Sequence, residues 1–180
     1  MNNLEQFKFY ITTNIPSEIV LYSLLVTAVV ISVGLLWQRI RNKRDYVLWT
    51  LLVEYAFIVI CSTIVCRGTL YSKFEHIQLS LFWTYRSIIA QTPGVSVWDI
   101  VLNVVMFLPL GFLVKLLYPS LSLGKMLLIA VACSLCIETS QYVFEKGIAQ
   151  IDDVMHNAIG AMIGWGVAKG TLALAKRAST

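Results

Sequence analysis

The sequence predicts an all-α fold: a polytopic membrane bundle of about five transmembrane helices. Three observations lead there. Hydrophobic residues make up 58% of the chain and charged residues only 13%, where a typical soluble domain carries about 25% charged. The apolar residues fall in runs of about 20, and at about 1.5 Å per helical residue such a run crosses a hydrocarbon core of about 30 Å. Lipid offers the backbone no hydrogen bonds, so each run must satisfy its own amides as a helix; the lack of two-residue alternation excludes barrel strands.

The first span runs from about Ser17 to Trp37, with Pro16-Ser17 as its start signal. A basic loop, Arg39 to Arg44, leads into the second, about Tyr46 to Val65. Arg67 to Ser96 is mixed in character and rich in aromatics, including Tyr71, Phe82, Trp83 and Tyr85. The third span runs from about Val97 to Leu117, and Tyr118-Pro119-Ser120 with Gly124 marks a turn. The fourth covers about Lys125 to Phe144 and the fifth about Asp153 to Leu174, closed by Lys176-Arg177. The expected organisation is therefore an N-terminal region, 1–66, with two spans and a second region, 67–180, with three.

The net charge of +4 does not mark a nucleic-acid partner, because the basic residues punctuate the ends of apolar runs. The start of the chain, with Glu5 and Lys8, lacks the basic head and apolar core of a cleavable leader, so none is expected. Placing Arg39, Arg41, Lys43, Arg44, Lys115, Lys125, Lys169, Lys176 and Arg177 inside leaves Lys8, Arg67, Lys73, Arg86 and Lys146 outside. That bias predicts a multi-pass cell-membrane protein with its N-terminus outside and its C-terminus cytoplasmic. Cys133 and Cys136 form a C-x-x-C, but in an apolar helix without a second pair these are read as small packing residues, like Cys61 and Cys66.

Function is sought in the polar residues that interrupt the spans. A carboxylate at the middle of a membrane helix costs roughly 2.5–3.5 kcal/mol on insertion scales, so acids there are rare without a purpose. Glu54, Asp99, Glu138, Asp152 and Asp153 are such acids, joined by the amides Asn103, Gln141 and Asn157. Glu54 lies apart, toward the inner end of the second span; the others fall at one membrane depth, near the outer side. Ser134, Glu138 and Gln141 make one stripe on the fourth span, and Asp153, Asn157, Gly160 and Gly164 make one on the fifth, whose glycines allow a close helix seam that Asn157 bridges. Pro109 interrupts the third span and frees the carbonyl of Val105. Asp152-Asp153 suits helix capping and also has the composition of a hard-cation site; His156, one turn on, has the chemistry of a ligand or base. No bound metal and no cofactor are expected. Arg67, Arg86 and Lys146 are the basic groups predicted on the same side.

The run Asp99-Ile-Val-Leu-Asn103-Val-Val-Met-Phe107-Leu-Pro109-Leu-Gly111-Phe-Leu resembles the N-x-x-x-F-x-P-x-G-F motif of the VanZ-like family. Ser134-x-x-x-Glu138-x-x-Gln141, followed by Ile151-Asp152-Asp153-Val-x-x-Asn157-x-x-Gly160-x-x-x-Gly164, is similar to its second signature. Where many members carry an Arg before the paired acids, this chain has Lys146; where many read Asn-Leu-x-Pro-Phe, it reads Gln78-Leu79-Ser80-Leu81-Phe82. The resemblance implies an integral membrane protein of the bacterial cell envelope, in a family named for a member that gives low-level teicoplanin resistance.

The expected polar site comprises Asp99, Asn103, Glu138, Gln141, Asp152, Asp153 and Asn157, with Arg67, Arg86 and Lys146 as charge partners for a ligand. Such a set suits the headgroup of an anionic lipid or a lipid-linked cell-wall precursor, bound or modified at the outer leaflet. Three alternatives stay open. One is an intramembrane hydrolase or transferase acting on a phosphate-containing lipid, with Glu138 or Asp153 as base. The others are an ion-coupled transporter and a structural membrane partner.

Overall fold

The computed structural model describes Ser23, Val26, Thr27, Val29, residues 43–65, Arg67 and residues 77–178. The chain divides into two compact units, Met1–Gly68 and Thr69–Thr180. Most of the expected first span lies outside the described residues. Four helices among the described residues are long and apolar enough to cross a membrane, and no more than 33% of any is covered by protein, so most of each surface faces outward. This is an all-α polytopic membrane architecture.

In the first unit, α1 spans Lys43–Ile60 and continues as a π-helical turn, Cys61–Val65. The hydroxyls of Ser62 and Thr63 both donate to the carbonyl of Val59, at 3.1 and 2.7 Å. Such back-bonding competes with the backbone ladder, which accounts for the widened turn. Glu54 gains a partner here: the hydroxyl of Thr27 donates to its carboxylate.

The second unit contains β1 (Ile77–Gln78), α2 (Trp83–Ile89), α3 (Val97–Leu117), α4 (Leu123–Val143), β2 (Ala149–Gln150) and α5 (Ile151–Ala178). The three long helices match the sequence-predicted spans closely, because unbroken apolar runs bounded by turn residues leave little choice. α3 runs through Pro109 without a break. α5 lies parallel to α3 along a seam of small residues. A Cβ on Gly160 would collide with the carbonyl of Val104, and one on Gly164 with that of Leu108 and, at 2.9 Å, the amide of Phe112. Gly111 of α3 answers from the other side, where a Cβ would collide with the carbonyl of Ala161. Small residues thus bring two backbones into contact, the packing that lipid-embedded helices favour.

α4 runs antiparallel to both and meets α5 along Ser134, Glu138 and Gln141, all buried. Asn157 does not bridge the glycine seam as the sequence stripe suggests. Its amide donates instead to the hydroxyl of Ser134 on α4, at 2.8 Å, since α5 sits against both neighbours and Asn157 turns toward the one that offers an acceptor.

At the end where α3 passes into α4, buried Lys115 donates to the carbonyls of Pro119 and, at 2.9 Å, Leu121. The indole of Trp165 donates to Leu121 as well, at 3.0 Å, and the ammonium of Lys115 lies 4.8 Å from the centre of its ring. The opposite end carries the expected acids.

Candidate functional site

The site is built by the C-terminal end of α4, the start of α5 and a strap, residues 77–92, that crosses between the spans. The strap is short-range structure with no apolar run to announce it. β1 pairs in parallel with β2 in the register Ile77↔Ala149 and Gln78↔Gln150. α2 then begins at Phe82, whose φ of 60° is left-handed and whose side chain has no oxygen to cap the helix. The exposed amides of a helix start need acceptors. Asp152 provides them from 70 residues away: its carboxylate accepts from the amides of Phe82, at 2.7 Å, and Thr84, at 2.9 Å. Asp152 is 1% exposed, so this charge is neutralised by main-chain donors and by the positive end of α2.

Glu138 has a similar relation to the chain. It is 6% exposed, and its carboxylate accepts from the amide of Gln150 at 2.8 Å, fixing the loop between α4 and α5. That loop leaves α4 through two backbone bonds, from Glu145 to Tyr142 and from Lys146 to Gln141, with Glu145 at φ 54°. This is the reverse turn that usually places glycine at the left-handed position. The hydroxyl of Thr84 reaches Gln150 Oε1 at 3.4 Å, tying strap to loop again. Beside these bonds a groove of about 170 Å³ runs between strap and α4, walled by Leu79, Leu135, Tyr142 and Val154 with Glu138 and Gln150.

A second chain of polar groups lies one turn deeper. The hydroxyl of Tyr85 is 2.9 Å from His156 Nε2, and His156 Nδ1 is 4.0 Å from the carboxylate of Asp153. His156 is 1% exposed, and its Nδ1 has no hydrogen-bond partner, as is true of Asn157 Oδ1. Among the described residues, no three His, Cys, Asp or Glu side chains converge as a metal site.

Of the sequence-predicted residues, Glu138, Gln141, Asp152, Asp153 and Asn157 occupy this end of α4 and α5, all buried except Asp153. Asp99 lies at the corresponding end of α3, where it accepts from the amide of Ser96 at 2.7 Å while the hydroxyl of Ser96 accepts from the amide of Trp98 at 3.1 Å. Ser96-x-x-Asp99 is capping-box spacing, a signal present in the sequence. Asn103 is half-buried one turn further along α3. Arg86 is exposed on α2 and donates to the carbonyl of Leu81 at 3.1 Å; Lys146 is half-buried in the α4–α5 loop. Arg67 is exposed and belongs to the first unit. Sequence reasoning missed Thr84, Tyr85 and Gln150, which belong to the strap and the loop it grips.

Long apolar helices with a buried polar cluster at one end define a multi-pass membrane protein. Its family follows from the sequence: the VanZ/LLP1 family profile matches residues 46–174, and the chain belongs to that family. The match begins within α1, so it takes in part of the first unit as well as the second. No curated protein and no solved structure shows a significant match.

Proposed function

We propose that this chain binds, at the outer leaflet of the bacterial cell membrane, an anionic lipid or lipid-linked cell-wall precursor. The groove between strap and α4 carries this reading. Its walls are hydrocarbon, with Leu79, Leu135 and Tyr142 well exposed, yet Glu138 and Gln150 form part of it. A groove of that composition on a membrane-spanning helix suits a molecule with an apolar chain and a polar end. Arg86, exposed at the same end, and Lys146 supply positive charge for a phosphate. The outer-leaflet placement rests on the Lys and Arg bias, with the N-terminus outside and the C-terminus cytoplasmic. On this reading the bound lipid changes the surface that teicoplanin-type glycopeptides meet.

The test is binding to nanodiscs with and without anionic lipid and a polyprenyl-phosphate-linked precursor. Retention of the anionic species, weakened about 10-fold or more when Arg86 and Lys146 are both changed to Gln, supports the proposal. Equal retention of neutral and anionic lipids refutes it. Unchanged teicoplanin susceptibility on expression in a sensitive strain removes the resistance role and leaves the binding test standing.

A further inference from the structure

The groups between the strap and the start of α5 have a use that lipid binding does not require. Tyr85 is 37% exposed as a residue, and its hydroxyl is directed to the buried cluster behind it. Behind it is an imidazole buried on every side, and behind that a carboxylate. The tautomer of His156 follows from its two neighbours. Nδ1 faces the negative charge of Asp153 at 4.0 Å and no other hydrogen-bond partner. A nitrogen so placed is stabilised as the N–H, since a lone pair pointed at a carboxylate is repelled. With the proton on Nδ1, Nε2 carries the lone pair and accepts from the Tyr85 hydroxyl at 2.9 Å. The phenol is therefore oriented as donor to a base, and a negative charge backs that base.

The ring of Tyr85 is also held. It meets His156 at 5.6 Å between ring centres and Phe82 edge-on at 6.0 Å, on a helix whose start is fixed by Asp152. Hydroxyl, base and orienting acid come from two elements that the strap bonds lock together. This is the logic by which a weak hydroxyl nucleophile is activated.

We propose that Tyr85, His156 and Asp153 form a proton relay that makes the Tyr85 oxygen a reactive hydroxyl toward phosphoryl or acyl esters. As the oxygen bonds to the electrophilic centre, the leaving group departs with the bonding pair. The phenolic proton passes to Nε2, and Asp153 stabilises the imidazolium that results. Asp153 is a positioning residue; it does not touch the electrophile.

An aryl sulfonyl fluoride tests this in purified, detergent-solubilised protein without any lipid, so the outcome is independent of lipid binding. The phenolic oxygen forms a bond to sulfur, the S–F bond breaks, and fluoride leaves as the proton moves to His156. Tyr142 is the internal reference: it is 45% exposed and at the same end of the bundle. Mass spectrometry should find Tyr85 labelled about 100-fold faster than Tyr142 or more, within the range of general-base assistance. In His156→Gln the advantage should vanish, and in Asp153→Asn it should fall several-fold. Equal labelling of Tyr85 and Tyr142 in the native protein overturns the proposal, as does an advantage that survives His156→Gln or is undiminished in Asp153→Asn. If His156→Gln fails to fold, Asp153→Asn decides, because that residue is partly exposed and the bonds to Phe82 and Thr84 run through Asp152.

Discussion

The amide of Thr84 is the most direct gauge of what Asp152 does. Thr84 is in the first turn of α2, where no helical carbonyl is available to its N–H. Its acceptor is Asp152 Oδ2 at 2.9 Å, in a buried setting. Hydrogen bonds to charged groups contribute about 1.5–3 kcal/mol each, and Asp152 makes two to the strap. Asp152→Ala therefore lowers the free energy of strap opening by about 3–6 kcal/mol. At about 1.4 kcal/mol per tenfold change, Thr84 amide exchange should accelerate by at least about 100-fold. Asp152→Asn keeps one acceptor oxygen but turns an NH₂ toward the second amide, so the loss is about 1.5–3 kcal/mol and the acceleration about 10- to 100-fold. Hydrogen–deuterium exchange in detergent micelles reads both, with the interior of α3 as an unchanged reference. Unaltered Thr84 exchange in Asp152→Ala would refute the anchoring argument.

The other expectations concern packing and turns. Gly164→Ala places a methyl against the Leu108 carbonyl and should destabilise the second unit by about 1–3 kcal/mol in a thermal melt. Gly166→Ala, with nothing within 4 Å of the new carbon, should stabilise by up to about 1 kcal/mol; equal effects at the two sites would refute the seam. Glu145→Gly relieves a left-handed backbone and should raise stability by up to about 1 kcal/mol, read by the same melt. Lys115→Met keeps the stem and removes the donors to Pro119 and Leu121, which should cost about 2 kcal/mol and expose the α3–α4 turn to protease.

The spans were legible because twenty apolar residues in lipid have one solution. The glycine seam was legible too: Gly160 and Gly164 at four-residue spacing imply a close neighbour, although not which helix supplies it. What the sequence hid is the strap. Its contacts run from the carboxylate of Asp152 to main-chain amides at Phe82 and Thr84, and an amide has no identity in a sequence. From sequence, Glu138 reads as an acid in need of a partner and Asp152 as a cap for its own helix or part of a cation site, whereas in the structure their oxygens hold backbone elsewhere in the chain. Asp99 caps its own helix start, and one carboxylate can serve a helix start or a distant site at the same spacing. Tyr85 and His156, separated by 71 positions, become partners only once the strap is laid over α5.

The closest helix contact in the second unit joins α3 to α5, which run in the same direction and are separated in the chain by α4. α3 and α4, joined by a short turn, touch little. A helical hairpin emerging during synthesis thus holds no strong grip of its own. α3 must wait in the bilayer, its glycine notch lined by lipid, until the last span arrives and evicts it. Completion of the unit is therefore tied to translation of α5, and a chain truncated within that helix would leave inserted but unassembled helices for quality control to find.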